Sequence, residues 1–431
     1  MGTILIRNGR VIDSAAARDE QADVLIVDGK IAAVGSSKAK ADREIDASGK
    51  IVCPGLIDMH VHLREPGDDE AETIASGMTA AVSGGFTAVA AMPNTEPPVD
   101  GAAAVEHVYL TSMLADGAKA YPVGTVTKGR RGEDLAELAA MAAAGAVGFS
   151  DDGDPVDDPR MMRRAMAYAA MLDLPVLSHA EDRRLSAGGV VNEGAVGVRL
   201  GLAGIPPESE VIAVARDVAL AEATGAHLHV QHVSVAGAVD VIRRAKARGV
   251  RVTAEVTTHH LVLTEDALLE RDADGLLKFD TNLKMNPPLR TQADVDALRA
   301  GLADGTIDCI VSDHAPHPLE RKAVDFVEAA FGIIGLETTL PLVVTDLITP
   351  GVLSWTDAIA ALTVNPAQVL GLPQGTLAEG VDADVTVIDP DVTWTVDANA
   401  FRSKSRNCPF HGREVKGRAV CTIVAGVVAG E

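Results

Sequence analysis

The sequence predicts an α/β protein: a (β/α)8 barrel joined to a small composite β-sandwich built from both chain ends. Three observations point there. Eight apolar, strand-like runs alternate with alanine-rich helical stretches through the middle of the chain. Both ends are rich in short β segments broken by turn signals. The 431 residues allow a barrel of about 250 residues plus a second, smaller unit. The division expected is 1–54 for the first part of the sandwich, 55–368 for the barrel and 369–431 for the rest of the sandwich.

Taken in order, "TILIRNGRVID", "ADVLIVDGKIAAVG" and "REIDASGKIV" read as strands punctuated by Asn-Gly, Asp-Gly and Ser-Gly turns. The barrel strands follow: "GLIDMHVH", "FTAVAAMPN", "KAYPVGTVT", "GAVGFSDD", "LPVLSHAED", "HLHVQHVS", "VRVTAEVTTHH" and "IDCIVSDHA". Helical stretches such as "EDLAELAAMAAAG" and "GAVDVIRRAKARG" lie between them, several closed by glycine. The chain ends on "DADVTVIDP", "TWTVDA" and "GRAVCTIVAGVVAG", which again read as strands. Neither end is long enough to fold alone, so the two are expected to pair.

Composition narrows the function. The net charge is −23, from 38 Lys+Arg against 61 Asp+Glu, which excludes a basic nucleic-acid surface. An anionic substrate would need arginine or lysine placed locally against that field. Cys53, Cys309, Cys408 and Cys421 are scattered, with no Cys-x-x-Cys pair, so neither a disulfide framework nor a thiolate zinc site is suggested. No apolar run reaches membrane-spanning length, and "MGTILIRNGR" lacks a signal-peptide layout. A cytoplasmic protein with no membrane partner is expected.

Barrel enzymes place their chemistry at the C-terminal ends of the strands. Strand one ends in His60 and His62, which share a face because alternate residues do. Strand four ends in Asp151 and Asp152, strand five in His179, strand six in His232 and strand eight in Asp313. Singly, each has a bland explanation: a satisfied core histidine, an acidic turn, a helix cap. Their joint occurrence at one mouth does not. Imidazole nitrogen and carboxylate oxygen suit zinc. The set exceeds what one tetrahedral ion uses, so two ions sharing a carboxylate are expected, with one ion as the lesser option. Arg64, two residues past His62, stands ready for substrate. His107, His227, His229, His259, His260 and His411 are left as structural.

These residues sit in motifs that resemble the dihydroorotases of the amidohydrolase superfamily, in their type I bacterial class. "DMHVHLREPG", "AMPNT", "FSDDG", "SHAED", "QHVS", "KMNPPLR", "SDHAPH", "FGIIGLET", "LTVNPAQVLGL" and "SRNCPFHGREVKG" follow that pattern in order over essentially the whole chain. One departure is "TTHH", where the family often has proline before the two histidines. The resemblance implies metal ligands His60, His62, Asp152, His179, His232 and Asp313, with Asp152 rather than Asp151 shared between two zinc ions. It implies that Arg64, Asn94, Asn286 and His317 hold a substrate carboxylate, and that backbone groups of Phe331 and Gly332 touch the ring.

The implied reaction is reversible hydrolysis of the cyclic amide of (S)-dihydroorotate to N-carbamoyl-L-aspartate in pyrimidine (UMP) synthesis. Asp313 would carry the proton. Aspartate carbamoyltransferase is the expected protein partner, and a homo-oligomer the expected state. Two other readings stand beside this one. A dihydropyrimidinase or allantoinase would typically bridge its metals with a carboxylated lysine. Strand four offers none, and the nearest candidate is Lys128 in "TVTKGRRG". A non-catalytic scaffold for the transferase would have lost ligands that this chain keeps.

Overall fold

The computed structural model describes residues 2–430. Both chain ends enter one eight-stranded sheet. Thr3–Asp13 pairs antiparallel with Arg18–Val27, which pairs with Lys30–Gly35 across Asp28-Gly29. Both turn residues have positive φ (49° and 82°), the geometry that a two-residue hairpin demands. Thr3–Asp13 also runs parallel to Arg43–Asp46 and Ile51–Pro54. Ile51–Pro54 then receives the C-terminal strand Val385–Thr395, with Val385 opposite Pro54. Neither end could bury Val24, Ile26, Val52, Val387 and Ile423 alone; together they close one apolar core.

One turn expectation is corrected. Asn8-Gly9 is no turn: it lies inside the first strand, at a register shift between Ile6 and Gly9. A Cβ on Gly9 would stand 2.5 Å from Val52 Cγ2, so the glycine admits a bulge against the neighbouring strand.

The barrel strands run Leu56–Val61, Phe86–Ala91, Lys119–Pro122, Val176–Ser178, Leu228–Val230, Val252–Thr257 and Cys309–Val311, parallel wherever they pair. The ring closes between the eighth and first, where His62 N–H donates to His314 O at 2.9 Å. Each is shorter than its apolar run, because its last residues leave the ladder and turn into the mouth. The fourth strand is a second correction. "GAVGFSDD" forms no regular strand; Phe149 alone makes parallel bridges to Gly124 and Val176. Glycines 145 and 148 weaken extended pairing, and Asp151 bends the chain away by accepting from the backbone of Val126 and Thr127.

The helices wrap outside, among them Ile74–Gly84, Pro159–Leu172, Glu208–Thr224 and Ala236–Ala247. "EDLAELAAMAAAG" yields only the short helix Leu138–Ala143. No helix among the described residues is long and apolar enough to cross a membrane.

Candidate active site

Parallel strands end together, so residues far apart in sequence meet at the mouth. His60 and His62 leave strand one with ring centres 5.4 Å apart. Asp152 lies between the groups. Its Oδ1 is 3.5 Å from His60 Nε2, 3.4 Å from His179 Nδ1 and 3.7 Å from His232 Nε2, and its Oδ2 is 3.5 Å from His62 Nε2. Asp313 Oδ1 is 3.1 Å from His62 Nε2 and 3.5 Å from His60 Nε2. Two groups of three ligand atoms result: His60, Asp152 and His232, and His60, His62 and Asp313. All of these side chains are buried. His179 joins the first group from the side, its Nδ1 2.8 Å from His232 Nε2.

A cation fits this donor set. His60 Nε2 and Asp152 Oδ1 are buried with no hydrogen-bond partner, an arrangement that is costly unless something else satisfies them. The electrostatics say the same. Burial opposes charge on Asp152, yet His60, His179 and His232 hold its carboxyl well below the ordinary value. Burial likewise opposes charge on Asp313, and His60 and His62 bring its pKa down. Burial disfavours a charged His179, but Asp152 and Glu181 lift it to about 10. Two buried carboxylates thus draw positive charge into the cluster, which protons or metal ions can supply. Three residues here adopt left-handed backbone without being glycine: Arg64 (φ 61°), His232 (φ 30°) and Asp313 (φ 48°). Such strain collects where side chains must be aimed.

The cluster forms the floor of a cavity of about 240 Å³. Every predicted site residue except His60, which lies beneath, lines it; Gly153 and Ala315 complete the wall. Arg64 is half-buried, and its Nε–H donates to Pro316 O at 3.2 Å. Among the described residues no carboxylate pairs with it. Asn94 Oδ1 accepts from His62 Nδ1–H at 2.8 Å, which fixes the amide. Asn286 Nδ2 donates to Glu181 Oε2 at 3.0 Å. His317 Nε2–H donates to Phe331 O at 2.7 Å, while its Nδ1 is buried without a partner. Burial and Arg64 push His317 down to about 3, so the ring is neutral. To donate to a carboxylate it must release Phe331 or take up a proton. The Phe331–Gly332 backbone is already engaged: Gly332 N–H donates to Lys284 O at 2.9 Å, and Gly332 O accepts from Lys322 and Asn407.

The adjacent aspartates separate. Asp151 points back and accepts from Val126, Thr127 and the Thr127 hydroxyl, leaving only Asp152 at the cluster. Lys128 is exposed, and no lysine lines the cavity. His259 and His260 are buried at the end of strand seven but do not line the cavity; His260 bonds Thr257 and Pro287. Two residues escaped the sequence reading. Glu181 accepts from His179 Nε2 at 3.0 Å, and its place in "SHAED" beside a ligand was a usable clue. Glu255 meets His60 Nδ1, and the clue was a lone charge inside an apolar strand.

The Dihydro-orotase-like family matches residues 49–237. A dihydroorotase of Pelotomaculum thermopropionicum is 54% identical, over 99% of this chain and 98% of that protein. One from Syntrophotalea carbinolica is 55% identical, over 98% of each. The chain belongs to the dihydroorotase family. As a member of that family it is an enzyme, a cyclic amidohydrolase. Solved structures similar to this dihydroorotase-family chain include an L-hydantoinase (dihydropyrimidinase) from Arthrobacter aurescens. It has a TM-score of 0.88 at 29% identity, covering 100% of this chain and 97% of that one. A dihydropyrimidinase from Brevibacillus agri has a TM-score of 0.82 at 26% identity, over 99% and 94%. These relatives share the barrel and β-sandwich.

Proposed function

We propose that the chain is a zinc-dependent dihydroorotase that opens and closes the ring of (S)-dihydroorotate, with N-carbamoyl-L-aspartate as the other partner of the equilibrium. The observation that carries the substrate assignment is Arg64: a half-buried guanidinium on the cavity wall that, among the described residues, has no carboxylate paired to it. In a chain of net charge −23, such a group is kept for an anion. Residues 55–368 form the catalytic unit in this reading, and 1–54 with 369–431 the sandwich.

His60, His62, Asp152, His179, His232 and Asp313 would hold two zinc ions, with Asp152 shared, since its two oxygens face different histidines. When bound, zinc lowers the pKa of water and polarises a carbonyl. Arg64 and Asn94, helped by Asn286 and His317, hold the substrate carboxylate, while Phe331 and Gly332 border the ring. Asp313 takes the proton released as water oxygen bonds the ring carbonyl carbon. It delivers that proton to the ring nitrogen as the C–N bond breaks. Ring closure reverses both transfers. The enzyme is cytoplasmic, assembles as a homo-oligomer and works beside aspartate carbamoyltransferase in this reading.

Metal analysis of the purified chain, with a dihydroorotase assay alone and with the transferase added, tests the proposal. Zinc and turnover are expected; a metal-free chain inactive under both conditions overturns it. Arg64→Met should raise KM for dihydroorotate about ten- to a hundred-fold with metal content unchanged, since a charge-assisted hydrogen bond contributes roughly 1.5–3 kcal/mol. An unchanged KM would remove Arg64 from the binding role.

A further inference from the structure

Glu255 lies in the middle of the seventh barrel strand, fully buried. It is no candidate ligand and does not line the cavity. Groups from strands one and six converge on it. His60 Nδ1 stands 2.5 Å from Oε1, the backbone N–H of His232 3.3 Å from Oε1, and His229 Nε2 3.1 Å from Oε2. The chain of contacts continues: His229 Nδ1 is 2.8 Å from Thr253 Oγ1, which is 2.9 Å from His227 Nε2. It runs from the ligand cluster through the barrel interior to the residue that precedes strand six.

Its polarity can be worked out. A histidine that offers Nε2 to an ion keeps its only ring proton on Nδ1, so His60 donates to Glu255. The His232 N–H can only donate. An ionised carboxylate only accepts, so His229 must carry its proton on Nε2. His229 Nδ1 then accepts from the Thr253 hydroxyl, whose oxygen accepts from His227 Nε2–H. Each bond along this chain then points toward Glu255, and the Gln231 amide nitrogen, 3.3 Å from His60 Nδ1, receives no bond from it.

We propose that Glu255 is a positioning residue for the metal cluster: it locks His60 in the tautomer that leaves Nε2 bare, and it ties down the left-handed backbone of His232. This rests on the metal reading of the site given above. One buried carboxylate thereby sets two candidate ligands, on different strands, before any ion arrives.

Glu255→Gln keeps the shape but places an amide NH2 against either His60 Nδ1–H or His229 Nε2–H. Facing His60, it drives the proton to Nε2 and blocks the ligand atom. Zinc affinity of the full chain, measured by chelator competition, is expected to fall about ten- to a hundred-fold. The thermal midpoint of the metal-free variant reports separately on folding. Glu255→Asp, which restores a carboxylate, should recover part of the affinity. Ring-nitrogen NMR of the zinc-loaded wild type should show His229 protonated on Nε2 and His60 on Nδ1, and this decides the matter if the glutamine variant does not fold. Wild-type zinc affinity in Glu255→Gln with His229 still protonated on Nε2, or a wild type with His229 protonated on Nδ1, overturns the inference. A wild type that takes up no zinc sinks the metal reading of the site and this inference with it.

Discussion

Asp152→Ala should lose at least one zinc ion and nearly all turnover, while Lys128→Ala leaves metal content and rate largely intact. Among the described residues, Asp152 is the one carboxylate whose oxygens lie within 3.7 Å of four histidine nitrogens, from His60, His62, His179 and His232. Removing it takes away the negative charge that draws a cation among those imidazoles and the atoms that join the two ligand groups. Lys128 sits exposed in a short 3-10 turn, outside the cavity, and cannot replace it. A carboxylated lysine bridge would reverse the pattern, with Lys128→Ala losing metal. It would also make refolding in bicarbonate-free buffer costly, whereas an aspartate bridge is indifferent to carbon dioxide. Metal content by elemental analysis, with circular dichroism to check the fold, separates the two.

Asp313→Asn should lower kcat by two to four orders of magnitude, the range expected for loss of a positioned acid–base group. Asparagine can still present an oxygen toward the cluster but has no proton to pass. His60 and His62 keep Asp313 ionised despite burial, so in this reading its carboxylate carries no proton when the reaction begins. Its left-handed backbone, φ 48°, also aims the carboxylate at His62 rather than along the strand. Near-normal kcat in this variant would assign the proton transfer to another group.

What was legible in the sequence follows from what is local. His60 and His62 could be placed on one face because a strand alternates, and Asp313 at a strand end because "SDHAPH" follows the apolar run around Cys309–Val311. The pairing of the two chain ends followed from length alone: each was too short to bury its own apolar face. Strand four failed as a strand because the pull of Asp151 on Val126 and Thr127 comes from a neighbouring loop that periodicity does not see. Asn8-Gly9 has turn chemistry but is flanked by strand on both sides, so the same conformational freedom serves a bulge. Glu255 was missed because its meaning depends on His60 and His229, which only the closed barrel brings to it. The expected donation from His317 to substrate met a bond to Phe331 O that no spacing rule could anticipate.

In the proposed reading the cavity takes a cyclic amide that bears a carboxylate. The most direct measurement compares kcat/KM of the zinc-loaded chain on dihydroorotate and on dihydrouracil, which lacks that carboxylate. Arg64 holding the carboxylate predicts a preference for dihydroorotate of at least about ten- to a hundred-fold, from the roughly 1.5–3 kcal/mol of a charge-assisted hydrogen bond. Equal rates on both, or faster turnover of dihydrouracil, would contradict the account and support a dihydropyrimidinase instead.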